Sequence, residues 1–173
     1  MNTDTNIQMK KTDFPTVNVS GFDQCLTFKL ADEEYGVDIM SVQEIRSWEP
    51  VTRLPNTPEF VTGVINLRGI VVPIIDLRKR FNLDTVAYGT TTVVVVVKVE
   101  TGDSERTMGM VVDAVSEVYN LSQDIIRKAP ELGSAISMEY IRGLADIDEK
   151  MIILLDVDTM LNLKELQVRT AVN

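Results

Sequence analysis

The chain has 173 residues, of which 45% are hydrophobic and 25% charged, as in an ordinary soluble globular protein of one domain or two small subdomains sharing a core. The net charge of −9 argues against binding to nucleic acid or an anionic membrane, since both require basic patches. The single cysteine excludes an internal disulfide and fits a reducing, cytoplasmic setting, and the absence of histidine removes the commonest general base and metal ligand.

Residues 1–22 are polar and show no hydrophobic periodicity, so we predict a flexible N-terminal arm there. This segment also lacks the apolar core of a signal peptide. No apolar run in the chain approaches the ~20 residues needed to span a bilayer. We therefore expect no direct insertion into a membrane.

A hairpin is predicted directly after the arm. Residues 24–30 alternate in hydrophobicity, residues 31–34 form a polar turn, and residues 35–39 form the returning strand.

The next segment carries Val42, Glu44 and Ile45. Ser41, followed three positions later by Glu44, resembles a capping box, so a helical turn could begin over residues 41–46. One interpretation of the three residues is a patch that faces a partner. The other, which the spacing alone favours, places the valine and the isoleucine in the core and leaves the glutamate solvated.

Residues 48–58 contain three prolines and can be neither a central strand nor a helix interior. They predict an extended connection in which Leu54 is buried. Trp48 is the only tryptophan and could anchor an interface, although a lone tryptophan is more often a partly buried packing residue.

Residues 57–83 contain a predicted strand, tight turn, second strand and short helix. The turn is Asn66-Leu67-Arg68-Gly69, because asparagine and glycine tolerate the positive φ that two-residue hairpin turns demand. The second strand is β-branched except at Pro73, which suggests an edge strand or a bulge. Arg68, at the tip of the turn, could bind a carboxylate, although a solvated surface charge is the commoner case.

Asp76 ends this second strand and is predicted to cap a helix over residues 77–81 by accepting hydrogen bonds from its first backbone amides. The alternative is a phosphoryl acceptor. That chemistry needs an acidic metal-binding cluster and usually a nearby lysine, and no such set has convincing spacing. The helix cap is therefore the favoured interpretation.

The same pattern recurs eighty positions later without a gap, so that Gly63 corresponds to Gly143 and Asp76 to Asp156. The second copy keeps the turn, at residues 146–149, but not the arginine. The turn geometry therefore does not require Arg68, which is free to serve another role. Two copies of one β-rich unit favour a pair of packed subdomains.

A second hairpin is predicted from the valine run at residues 93–99 and the returning strand at residues 107–112, matching the first hairpin. A second echo supports the repeat. The spacing of Gly36, Val42, Glu44 and Ile45 recurs in Gly109, Val115, Glu117 and Val118.

Recognisable catalytic sets do not occur in the sequence. There is no nucleophile elbow, phosphate-binding glycine loop, Cys/His metal spacing or dinucleotide fingerprint. A carboxylate-pair hydrolase stays open, because acidic residues are plentiful, but no pair stands out. We predict a binding module with no catalytic, metal-binding or cofactor-binding residues.

Four stretches carry a resemblance to a known family: GVDIMSVQEI (36–45), RLPNTPEFVTGVINLRGIVVPIIDLRKRF (53–81), GMVVDAVSEV (109–118) and YIRGLADIDEKMIILLDVDTML (140–161). Together they resemble the CheW family of bacterial chemotaxis coupling proteins. The resemblance implies a mostly β fold, in which two SH3-like β-barrel subdomains with short helices pack over a shared core. This CheW-like domain would span residues 23–165, between the arm and a C-terminal tail at 166–173.

The resemblance also implies a function without chemistry or cofactors. Members of the family are cytoplasmic adaptors that bind the regulatory domain of the histidine kinase CheA, which is itself similar in fold, and the cytoplasmic tips of methyl-accepting chemoreceptors in membrane-associated arrays. A CheW paralogue serving a different receptor array is the alternative, and a carboxylate-based enzyme or phosphoacceptor is a weaker one. The partner-binding positions carried over from the family are Val42, Glu44, Ile45, Asn66, Leu67, Arg68, Gly69, Val111, Val112 and Leu132.

Overall fold

The computed structural model describes residues 23–131 and 136–162. The predicted arm and tail and the candidate residue Leu132 lie outside the described residues, so the predicted domain boundaries stay predictions. Within residues 23–131 and 136–162, no helix has the length and hydrophobicity needed to cross a membrane.

The described residues form eleven strands and two short α-helices. The strands are β1 (Gln24–Leu30), β2 (Glu33–Asp38), β3 (Val42–Ser47), β4 (Val61–Leu67), β5 (Ile70–Asp76), β6 (Val93–Thr101), β7 (Ser104–Val112), β8 (Ala114–Asn120), β9 (Ile126–Arg127), β10 (Ile141–Ile147) and β11 (Lys150–Leu155). The helices are α1 (Leu77–Arg80) and α2 (Val157–Met160). Single 3₁₀ turns lie at Ile39–Ser41, Gln123–Ile125 and Met138–Tyr140.

The strands form two sheets, as predicted for a mostly β fold with two barrel-like subdomains. Sheet 1 has the order β8-β1-β2-β11-β10-β9, and sheet 2 has the order β3-β6-β7-β5-β4. Neighbouring strands are antiparallel except for β2 with β11 and β5 with β7, which are parallel. The order of sheet 2 repeats that of sheet 1 without β9, with every strand replaced by its counterpart in the other sequence copy.

Each sheet therefore combines strands from both sequence copies. The first hairpin, β1–β2, lies in sheet 1 between β8 and β11 of the second copy, and the hairpin β6–β7 lies in sheet 2 between β3 and β5 of the first. The two subdomains are thus not the two repeats. They are two equivalent barrels that have exchanged their hairpins.

Three clusters of buried residues fill the molecule. The largest receives side chains from both sheets, including Phe28, Val37, Val95 and Met110, and is the shared core that was predicted. Each of the two smaller clusters belongs to one sheet. One surrounds Ile152 in sheet 1, and the other lies within sheet 2. The valine run of β6 serves two clusters, because its alternate side chains face the shared core and the interior of sheet 2.

Arg80 joins the two sequence copies where they meet. Its guanidinium carbon lies 4.5 Å from the ring centroid of Phe60 and 5.3 Å from that of Tyr140, two residues that the eighty-position shift relates. One of its nitrogens donates a hydrogen bond to the carbonyl of Met160, its own counterpart. These contacts place Arg80 against equivalent residues of both sequence copies.

The local sequence predictions were mostly confirmed. Both hairpins form, and Asp76 caps α1 by accepting hydrogen bonds from the backbone amides of Arg78 at 2.9 Å and Lys79 at 3.4 Å. The helical turn predicted to begin at Ser41 was wrong: a 3₁₀ turn capped by Asp38 ends at that residue, and Val42–Ser47 is a strand.

Two further expectations had different outcomes. The burial predicted for Leu54 was wrong, since it is 40% exposed and does not enter the core. For Pro73 the edge-strand alternative was wrong, since β5 runs between β7 and β4, but the ladder with β4 has a register shift beside it, between Val61 and Gly63. The sheet tolerates this proline because pairing with β7 covers only Ile74–Asp76.

Candidate functional site

The predicted turn between β4 and β5 positions Arg68 at an exposed tip. Arg68 and Gly69 have φ angles of 51° and 87°, the two positive values that a tight hairpin turn requires. The side-chain oxygen of Asn66 accepts a hydrogen bond from the backbone N–H of Gly69 at 2.8 Å and fixes the turn. The Arg68 side chain is 72% exposed, whereas Leu67 is buried and anchors the tip.

Glu44 on the edge strand β3 receives this arginine. Its two carboxylate oxygens accept hydrogen bonds from Arg68 at 2.6 Å and from Arg46 at 3.0 Å. Arg46 also lies 3.5 Å from Glu49. The contact between Glu44 and Arg68 joins two of the segments that the sequence analysis singled out, although they are 24 positions apart.

The two arginines shape the electrostatics of the site. Hydrogen bonds from Arg68 first, and then from Arg46, hold the pKa of the Glu44 carboxyl below its ordinary value. The hydrogen bond to Glu44 in turn raises the pKa of Arg46. Glu44 is therefore ionised at neutral pH, and the site carries one carboxylate between two guanidinium groups.

The two apolar residues near Glu44 on β3 differ in burial. Val42 packs against the shared core, but Ile45 is 48% exposed. The interpretation that placed both apolar residues in the core was therefore wrong for Ile45, and Glu44, which it left solvated, is partly exposed and paired with two arginines. The equivalent residue of the second copy, Val118 on β8, is likewise 50% exposed, and the sequence analysis did not include it among the candidates although the repeat pointed to it.

Other predicted site residues lie elsewhere. Val111 and Val112 are 3% and 1% exposed and face the interior of sheet 2 and the shared core, respectively. Their side chains offer no surface to a partner in this structure, so a part in binding would be indirect. Leu132 lies outside the described residues.

A cavity of about 360 Å³ lies on an apolar face of sheet 1 that the sequence analysis missed. Leu144, Met151 and Ile153 are among the residues that line it. Glu33 lines it, and Asp146 stands directly opposite Met151 on the paired strand. We call this surface the acidic apolar face.

The repeat places an equivalent surface on sheet 2. Val64, Val71 and Pro73 stand eighty positions before Leu144, Met151 and Ile153, and Val71 is 65% exposed. Asn66 stands eighty positions before Asp146. Arg106 of β7 corresponds to Glu33 of β2 in the other echo, the one that relates Gly36 to Gly109. We call this surface the basic apolar face.

Asp76 has the surroundings of a structural group. It is 4% exposed, and besides capping α1 it accepts a hydrogen bond from the Tyr88 hydroxyl at 2.7 Å. Both carboxylate oxygens are thus engaged, which favours the helix cap over the phosphoacceptor. In the part of the chain that the structure describes, no group of three or more Cys, Asp or Glu side chains is arranged to hold a metal ion.

Comparison with known proteins places these features in a family. The model of the CheW-like domain family matches residues 24–165. The chemotaxis protein CheW of Klebsiella aerogenes is 47% identical over 141 residues, which cover 82% of each chain. The chemotaxis protein CheW of Treponema pallidum is 36% identical over 146 residues, covering 83% of this chain and 85% of that relative.

Among solved structures, the scaffolding protein TtCheW from Thermoanaerobacter tengcongensis superposes with a TM-score of 0.73 at 33% sequence identity. The match covers 82% of this chain and 89% of that one. The likeness therefore extends over both sheets rather than one hairpin.

Proposed function

The chain belongs to the CheW-like domain family, and we propose that it serves as a non-enzymatic adaptor that couples chemoreceptors to the histidine kinase CheA. In this proposal the protein acts in the cytoplasm, within arrays of membrane-bound receptors. It binds the regulatory domain of the kinase and the cytoplasmic tips of the receptors, and contributes no chemistry of its own.

The observation that carries the proposal is the contact between Glu44 and Arg68. It joins an edge strand and a hairpin tip into one exposed, charged surface beside Ile45. Only Nη2 of Arg68 engages Glu44, so the rest of the exposed guanidinium presents N–H donors to solvent. Such a group can orient a partner through charge-assisted hydrogen bonds while nearby apolar side chains supply contact area.

The two apolar faces support docking to a protein of similar fold. Their rims differ in charge, with Glu33 and Asp146 on one face and Arg106 on the other. A regulatory domain built from the same two barrels would present related faces, so that unlike rims could meet. Complementary charge of this kind contributes mostly to orientation and association rate, and the apolar centre supplies the contact area.

The adaptor controls the kinase through linkage. It changes kinase activity only by binding the active and inactive assemblies with different free energies, and the receptor must shift the same equilibrium. The proposal therefore predicts that receptor and kinase affect each other only when the adaptor is present.

A reconstitution tests this. A CheA-type kinase is mixed with receptor signalling fragments, and kinase autophosphorylation is followed with and without this protein. We expect autophosphorylation to depend on the receptor only in its presence. A panel of receptor tips in the same assay separates chemotaxis receptors from those of a different array.

Two matched variants locate the effect. Arg68→Ala should weaken the receptor dependence of kinase autophosphorylation by about tenfold, which corresponds to the loss of roughly one charge-assisted hydrogen bond. Asp148→Ala is the control, because Asp148 occupies the equivalent turn position with a φ of 50° against 51° for Arg68. Wild-type protein that binds neither partner and leaves autophosphorylation unchanged would contradict the proposal.

A further inference from the structure

A cavity of about 320 Å³ opens beside the end of β3, away from Arg68. One wall is the aromatic pair of Trp48 and Tyr88, whose ring centroids are 4.1 Å apart at an interplanar angle of 40°. The proline-containing connection before β4 also contributes to the lining, with Leu54 and Pro58. We call it the Trp48–Tyr88 cavity.

The aromatic wall is held in place before any ligand arrives. The Tyr88 hydroxyl donates to the buried carboxylate of Asp76 at 2.7 Å, and the backbone N–H of Trp48 donates to the carbonyl of Thr92 at 3.1 Å. Burial, followed by the hydrogen bond to Asp76, raises the pKa of Tyr88, which keeps the ring neutral. A ring fixed in this way offers an apolar surface at little entropic cost to binding.

The charges around the cavity are positive on balance, in contrast to the chain as a whole. Arg53 and Lys79 line it, and Glu59 is the one carboxylate among its lining residues. Neither cation takes part in the ion pairs found among the described residues. An acidic ligand would therefore meet two cations outside those ion pairs, with one carboxylate, Glu59, in the same lining.

The second copy shows that the fold does not need these residues. Eighty positions after Pro58 and Lys79 the chain has Met138 and Thr159, and the position equivalent to Trp48 in the second echo is Leu121. The aromatic wall and the lysine are thus specific to the first copy. Arg68 is likewise specific to the first copy, although both copies keep the turn.

We propose that the Trp48–Tyr88 cavity binds an acidic peptide segment that presents one apolar side chain. The apolar side chain inserts into the cavity against the aromatic pair, Leu54 and Pro58, and flanking carboxylates pair with Arg53 and Lys79. The volume is at the lower end of the range for ligand sites, so it accommodates one large side chain rather than a helix. This site is separate from the surface around Arg68.

Trp48 supplies a probe for the test, because it is the only tryptophan of the chain and lies in the cavity wall. The full chain is titrated with the peptide acetyl-Gly-Asp-Phe-Asp-Gly-amide while Trp48 emission is recorded. Two control peptides replace both aspartates by lysine or the phenylalanine by alanine. We expect a saturable change with the first peptide and at least a tenfold weaker response with each control.

Matched variants separate a specific site from general charge effects. Arg53→Gln and Lys79→Gln should each weaken binding of the acidic peptide by about tenfold, the equivalent of one lost charge-assisted contact. Lys98→Gln removes the same charge from β6, outside this cavity, and should change nothing. The proposal is overturned by an unsaturable response, by equal binding of the acidic and basic peptides, or by equal losses in all three variants. Neither kinase nor receptor is present, so the result is independent of the coupling assay.

Discussion

The hairpins β4–β5 and β10–β11 share a backbone but differ in the side chains at their tips. Each has a register shift two residues into its first strand, at Gly63 or Gly143, and a two-residue turn with positive φ. Each also closes with the same hydrogen bond, in which Asp76 donates its backbone N–H to Phe60 at 2.8 Å and Asp156 donates to Tyr140 at 2.7 Å. The fold therefore fixes the skeleton of both.

The tips show what the fold leaves open. The first turn places Arg68 and Gly69 where the second places Asp148 and Glu149, both of which adopt positive φ without a glycine. The first tip pairs with a carboxylate on an edge strand, at Glu44, whereas the equivalent residue of the second tip, Asp148, is itself acidic. The comparison separates residues that build a hairpin from residues that equip it for binding.

The largest effect should come from Gly63, which ties the first hairpin to the connection before it. A Cβ added there would lie 2.3 Å from the carbonyl oxygen of Thr52, and the φ of 156° is one that other residues rarely adopt. We expect Gly63→Ala to lower the free energy of unfolding by about 3 kcal/mol. Denaturant unfolding measures this.

Gly69→Ala is the control for that substitution, because it also has a positive φ, of 87°, but no atoms within 4 Å of the added Cβ. Gly69→Ala should lower the free energy of unfolding only through backbone strain, by about 1 kcal/mol. Equal losses for the two variants would show that the close contact with Thr52 does not matter.

The two helix caps should also differ in how much they stabilise the protein, with the larger contribution from the first copy. Asp76 is buried and accepts hydrogen bonds from two amides and from Tyr88, whereas Asp156 is partly exposed and caps only through Thr159 at 3.1 Å. We expect Asp76→Ala to cost about 2–3 kcal/mol and Asp156→Ala about 1 kcal/mol. Thermal and denaturant unfolding of both variants check the order, and a larger loss at Asp156 would refute this account of the caps.

The smallest effect concerns the pH dependence of stability. Arg68 and Arg46 lower the pKa of Glu44 in the folded state, so ionised Glu44 stabilises the fold above the ordinary glutamate pKa, and this contribution disappears as the pH falls through the lowered value. Glu44→Gln should therefore be slightly less stable than the wild type at pH 7, and the difference should vanish in acid.

Unfolding curves at several pH values measure this difference. The exposed setting keeps it small. A difference that persists unchanged below the lowered pKa would show that the ion pair is not its source.

Sequence reasoning succeeded where the determinants are local. The turn at Asn66–Gly69, the cap at Asp76 and the valine strand each depend on neighbouring residues whose preferences agree. The eighty-position repeat extended this success to the second hairpin. It also located the counterpart of Arg68, and with it the argument that the arginine is not structural.

The misses concern contacts between distant segments. The exchange of hairpins between barrels depends on which strands pair, and no local pattern encodes that. The capping-box pattern at Ser41 does not start a helix, because β3 pairs with β6, and this tertiary contact overrides the local preference. Val111 and Val112, taken from the family resemblance, stay predictions as partner-binding positions, and the packing of both sheets shows that they are buried.

Glu44 and Arg68 are proposed to act as one unit when the protein couples receptor to kinase. A double-mutant cycle with Glu44→Gln and Arg68→Gln, measured by receptor-dependent kinase autophosphorylation, tests this most directly. We predict that each single variant weakens coupling by about tenfold and that the double variant is little worse than either. Losses that multiply in the double variant, to about a hundredfold, would show that the two residues act independently and would contradict the account.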